Sequence, residues 1–93
     1  MPPEQEEVAA LVGSVVVLDT ASPYVYVGTL KAWGEHFVVL TDVDVRDSSE
    51  GRGGKERYLL DVRRHGVAKN RHEVAVRKAM VVSVSRTQDV ILF

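Results

Sequence analysis

The residues with the most evident chemistry are two aromatics at a chain reversal, His36 and Phe37, and a cationic run of Arg63, Arg64, His65, Lys69, Arg71 and His72. A flat side chain exposed at a corner can stack on a nucleobase of any identity, at about 1–3 kcal/mol per base. The competing reading of Phe37 is the first core residue of the strand it opens, whereas the corner itself favours exposure of His36. The cationic run can be a polyanion footprint. Equally, it can be the end of a helix, whose dipole draws positive charge to that terminus. Two further patterns carry less. His65 and His72 are separated by Gly66 and a turn, with no carboxylate placed to complete a metal site. Asp42, Asp44 and Asp47 superficially resemble a calcium loop, but they alternate along a strand pattern and no Gly and Glu follow at loop spacing.

Catalytic machinery is not visible. There is no cysteine, no Gly-x-Ser-x-Gly, no glycine-rich phosphate loop ending in Lys-Ser/Thr, and no carboxylate pair in an apolar setting. An enzyme is therefore not expected, and no cofactor or metal is implied. A chain of 93 residues reads as one domain over 1–93, large enough for a single core and small enough to gain from oligomerisation. Without cysteine, neither a disulfide framework nor a thiolate zinc site is available. No stretch approaches the roughly 20 apolar residues that span a bilayer, and the first residues are acidic where a secretory signal is basic. The expectation is a soluble, cytoplasmic protein. The net charge of −1 hides an asymmetry: residues 1–51 hold nine acids against Lys31 and Arg46, while residues 52–93 hold ten Lys/Arg against four acids. A polyanion meets the second half first.

The elements that must position these groups centre on Tyr24 to Arg46, two strand patterns joined at Trp33-Gly34-Glu35. From Phe37 onward the period is two, with Phe37, Val39, Thr41, Val43 and Val45 on one face and Val38, Leu40, Asp42, Asp44 and Arg46 on the other. The incoming strand is apolar on both faces from Tyr24 to Val27. Gly28 follows, where the missing Cβ permits a bend or a close backbone approach. A long, bent strand covered on both faces suggests a small barrel. Ahead of the hairpin, Pro2-Pro3 and the acids Glu4, Glu6 and Glu7 predict a short helix over 3–12 with a stripe of Val8, Leu11 and Val12, ended by Gly13. Ser14 to Asp19 reads as a strand and Thr20 to Pro23 as a turn. After Arg46, Asp47 to Gly54 reads as a flexible loop, and Lys55 to Gly66 as a helix with Tyr58, Leu59 and Val62 on one side. The 47–72 segment is expected to protrude as loop and helix without entering the core. Strands over Glu73 to Arg77 and Met80 to Ser85 complete the count at five.

In this order the residues resemble the Sm and Sm-like (LSm) family. Gly28, Leu30, Trp33, His36 and the run from Val38 to Val45 match its first motif, and Val76-Arg77-Lys78-Ala79-Met80-Val81 its second. The resemblance covers nearly all of the chain outside 47–72. It implies a mainly β fold in which an N-terminal helix precedes a five-stranded, strongly bent antiparallel SH3-like barrel, the Sm fold, with a helix-containing insertion between strands three and four. It further implies a homo-oligomeric ring, no membrane, and single-stranded RNA held near the pore by His36, Phe37, Arg77 and Lys78. Without the resemblance, Arg77 is an ordinary charge on the wet face of strand four. Arg63, Arg64, Lys69 and Arg71 form a secondary basic patch. Three positions depart from the family's uridine-binding pattern: Gly34 stands where an Asp belongs, no Asn stands near Phe37, and Lys78 replaces a Gly. The alternative the sequence leaves open is a scaffold that keeps the fold and the oligomer without the RNA pocket.

Overall fold

The computed structural model describes residues 7–49 and 54–91. Five antiparallel strands form one sheet in the order β4-β3-β2-β1-β5, with β1 Val15–Thr20, β2 Tyr24–Trp33, β3 Phe37–Asp47, β4 Arg71–Arg77 and β5 Val81–Arg86. The Gly54–His65 helix lies between β3 and β4. Residues 7–9 are helical, and the chain leaves that helix through Gly13, whose φ of +93° favours glycine. The part of the predicted N-terminal helix on residues 1–6 lies outside the described residues. Val8 and Leu11 pack on the core, but Val12 is exposed, so the stripe is narrower than the sequence suggested. No described helix is long and apolar enough to cross a membrane.

The central hairpin is bent by two irregularities. Val27 pairs with Asp44 and Thr29 with Thr41, which leaves one extra residue on β3. That bulge falls at Asp42, whose φ of 51° lies in the left-handed region that Asp tolerates better than most residues. Opposite it sits Gly28, where a Cβ would come within 2.9 Å of the Thr41 carbonyl oxygen and 3.2 Å of Val43 Cα. The second shift, between Leu30 and Ala32, puts an extra residue on β2.

The bulge corrects the strict alternation read along β3. Val43 joins Val38 and Leu40 in the main core with Val16, Leu18, Leu30 and Val76, instead of sharing a face with Phe37 and Val39. Asp44 is thereby turned to the opposite face, where it is 1% exposed.

That opposite face is covered, and the expectation that the helix of the 47–72 segment protrudes without entering the core is overturned; residues 50–53 of its loop lie outside the described residues. Val17, Val25 and Val27 form a second apolar cluster, and Val62 of the Gly54–His65 helix is buried against them with Tyr58 and Leu59 partly buried alongside. The doubly apolar strand read at Tyr24 to Val27 is explained by this helix, which supplies the second cover. Polar groups fix its placement. The Tyr58 hydroxyl donates to Asp44 Oδ2 at 2.6 Å, the Arg46 guanidinium lies 4.9 Å from the Tyr58 ring centroid, and Lys55 pairs with Asp19. Asp44 Oδ1 accepts from Asn70 Nδ2 at 3.1 Å, so both oxygens of this buried carboxylate are satisfied. Asn70 also donates its N–H to Val43 O at 2.8 Å and pairs its side-chain amide with Val45 N and O, fixing where β4 begins.

Two outcomes follow from this packing. Gly28→Ala places its methyl against backbone that must shift, at a cost of about 1–3 kcal/mol, read as a lower urea midpoint with unchanged slope. Tyr58→Phe removes a hydrogen bond to a buried carboxylate, at a cost of about 1.5–3 kcal/mol. Burial, then the hydrogen bond and charge of Asp44, hold the Tyr58 phenol well above its ordinary pKa of 10.0. Folding therefore favours the protonated phenol. Its contribution is complete below pH 10.0 and is lost as pH rises towards the folded value. Stability of the parent chain should fall more steeply above that pH than stability of Tyr58→Phe.

Candidate nucleic-acid interface

The corner between β2 and β3 is built tightly. Gly34 N–H donates to Phe37 O at 2.9 Å, and a Cβ on Gly34 would lie 3.0 Å from that same oxygen. An Asp in this place, as in the family pattern, would require the corner to move. The far end of β4 then meets the corner through the sheet register. Phe37 pairs directly with Arg77, and Lys78 N–H donates to His36 O at 2.8 Å. Residues some 40 positions apart in sequence are thus adjacent because antiparallel pairing continues to the last residue of β4.

The side chains converge as well. The Arg77 guanidinium lies 5.7 Å from the Phe37 ring centroid, and Lys78 Nζ lies 5.3 Å from the Trp33 ring, both within cation–π range. Phe37 is 44% exposed, which decides against its being simply a core residue of β3. A cavity of about 350 Å³ is lined by Glu35, His36, Arg77, Lys78 and Ala79. His36 Nε2 stands 3.9 Å from Glu35 Oε1, and both side chains point largely into solvent. The opening is lined by an imidazole, two cations and one carboxylate and is large enough for a base, with the exposed Phe37 ring beside it under Arg77. All four residues singled out from the sequence, His36, Phe37, Arg77 and Lys78, are brought together here. Glu35 was not among them, and its one signal in the sequence was adjacency to His36.

The secondary basic patch is elsewhere. Lys69, Asn70, Arg71 and His72 line a separate cavity of about 410 Å³ at the start of β4. That is the length of a seven-residue strand, about 20 Å, away from Arg77. Lys69 is drawn to Asp42 at 3.7 Å, and Arg63 and Arg64 are exposed on the last turn of the insertion helix. Among the described residues, no group of three His, Cys, Asp or Glu could hold a metal ion.

An N-terminal helix, five antiparallel strands with a severely bulged central hairpin, and a β2–β3 corner facing the end of β4 define an Sm-like fold. No family model and no curated protein matches the sequence. Solved structures do match. The Sm protein of Pyrococcus abyssii, in a complex with a uridine heptamer, superposes with a TM-score of 0.63 at 17% identity, over 92% of this chain and 99% of that one. A chain of the NatC complex bound to CoA matches with a TM-score of 0.57 at 17% identity, over 89% and 87%. A chain of the NatC complex bound to Gag peptide and CoA gives 0.54 at 17% identity, over 83% and 86%. At these identities the likeness is one of fold.

Proposed function

We propose that residues 1–93 act as one Sm-like unit, a divergent member of the Sm family. In this reading it forms a homo-oligomeric ring in the cytoplasm and binds single-stranded RNA near the pore without catalysing a reaction. The observation that carries the reading is that His36, Arg77 and Lys78 line one cavity while the Arg77 guanidinium lies over the exposed Phe37 ring. Phe37 and His36 supply stacking surfaces, which tolerate any base. Arg77 and Lys78 supply donors and positive charge for phosphate. The Sm protein complexed with a uridine heptamer supports the same class of ligand.

The ring is supported by the sheet order. β4 and β5 are its two edges, and the β5 edge carries Val82 at 67% exposure beside a groove lined by Val8, Trp33, Val81 and Val84. Open apolar edges invite strand pairing, and a β4 edge meeting a neighbour's β5 edge is a head-to-tail contact that closes into a ring when the rotation permits. A second reading, a scaffold without RNA, is favoured by the likeness to chains of the NatC complex and by Gly34 at the family's Asp position.

Light scattering at micromolar concentration should give the mass of several subunits, and a monomer would remove the ring. Fluorescence anisotropy with labelled oligo-U and oligo-A at two salt concentrations tests the RNA reading, since phosphate contacts weaken with salt. Arg77→Ala should lower affinity by about tenfold or more, one charge-assisted contact being lost at every subunit a strand crosses. The double variant Arg63→Ala, Arg64→Ala should lower it less. A larger effect from the helix pair moves the site to the periphery, and absence of binding by the parent chain leaves the scaffold.

A further inference from the structure

Two main-chain groups of the β2–β3 corner are committed to the protein itself. Gly34 N–H is given to Phe37 O, and His36 O is taken by Lys78 N–H. The side chains that line the cavity differ in what they can donate and accept. Of those lining it, Arg77 and Lys78 are donors alone, Ala79 is neither donor nor acceptor, and a neutral imidazole at His36 has one acceptor nitrogen. The acceptor capacity is concentrated in the Glu35 carboxylate, whose two oxygens offer about four lone-pair sites. That side chain is 87% exposed, and His36 Nε2 stands beyond hydrogen-bond distance at 3.9 Å. It thus lines the cavity, largely exposed, with no hydrogen bond from another described residue.

We propose that Glu35 is the base-reading residue of this site and that the base it selects is guanine. The proposal rests on the RNA-binding reading above and assigns that site its specificity. Guanine presents two adjacent donors on its Watson–Crick edge, N1–H and the N2 amine, which a carboxylate accepts together. Adenine and cytosine present an exocyclic amine beside an unprotonated ring nitrogen, so the second carboxylate oxygen meets an acceptor. Uracil presents N3–H flanked by two carbonyl oxygens, the least favourable partner. A side-chain amide, with donor and acceptor, suits uracil where a carboxylate does not, and no Asn or Gln lines this cavity. The likeness to a uridine-bound Sm protein is one of fold, and the lining of this cavity inverts the preference.

The test is anisotropy of the intact chain with labelled RNA hexamers of 7-deazaguanosine, inosine, adenosine, cytidine and uridine. The 7-deaza base keeps the Watson–Crick edge of guanine but does not stack into quadruplexes, and inosine lacks the N2 amine. The expected result is that the 7-deazaguanosine hexamer binds about tenfold more tightly than the uridine hexamer. Inosine should fall between them, and Glu35→Gln should abolish the order or reverse it towards uridine. The exposure of Glu35 keeps the variant folded, which an unchanged melting temperature verifies. If RNA binds with salt dependence but uridine is preferred, or if the guanine preference survives Glu35→Gln, the assignment of Glu35 is overturned while the RNA reading stands. If no hexamer binds at either salt concentration, both fall together.

Discussion

The close approach of β2 and β3 at Gly28 is the constraint on which the rest of this structure depends. Because residue 28 has no Cβ, the Thr41 carbonyl and Val43 can crowd it, and β3 can carry an extra residue there. The extra residue changes the strand's phase. Val43 enters the main core, and Asp44 is delivered to the outer face beside its pairing partner Val27. Had the alternation continued unbroken, Asp44 would have shared the main core's face with Leu40. A carboxylate there would have had to find hydrogen-bond partners among valines and leucines.

Once Asp44 lies on the outer face, the insertion helix has a polar anchor as well as an apolar bed. Tyr58 bridges the two, with its ring against the second cluster and its hydroxyl on the carboxylate. The apolar contact favours covering Val17, Val25 and Val27, but on its own it fixes neither the rotation nor the depth of the helix. The hydrogen bond from Tyr58 to Asp44 and the pairing of Lys55 with Asp19 fix the N-terminal half of the helix in place. A domain of this size has a small core, and the second cluster adds burial on the other face of β1 and β2.

Much of the architecture was legible in the sequence, for identifiable reasons. The five strands declare themselves through β-branched runs, and Gly34 and Gly13 mark reversals where the chain does turn. The convergence of His36, Phe37, Arg77 and Lys78 was read through family resemblance, since no local pattern links positions so far apart. The phase slip was not legible, because Asp42 in an alternating run gives no sign of positive φ until Gly28 is known to lie opposite. The insertion helix was misread because its glycine- and serine-rich lead-in suggested a segment that cannot offset the entropy of ordering. Its stripe of Tyr58, Leu59 and Val62 and the doubly apolar β2 each asked for a partner, and they partner one another. Glu35 was read only as part of the corner, since nothing in its local sequence besides the neighbouring His36 marks it.

The two ends of β4 tie these features to the candidate interface. Asn70 locks the entry of the strand to Val43, Val45 and Asp44, and the Lys78 N–H locks its exit to His36. Between the two locks, the pairing of β3 with β4 runs from Val43 opposite Arg71 to Phe37 opposite Arg77 without a shift. A slip of one residue in that register would send Arg77 to the other face and away from the Phe37 ring. The cation over the aromatic at one end of the sheet therefore depends on an amide bound to a buried carboxylate about 20 Å away at the other. The same Asp44 that seats the insertion helix takes part, through Asn70, in the register that places Arg77 against Phe37, so the cover of the barrel and the geometry of the corner share one side chain.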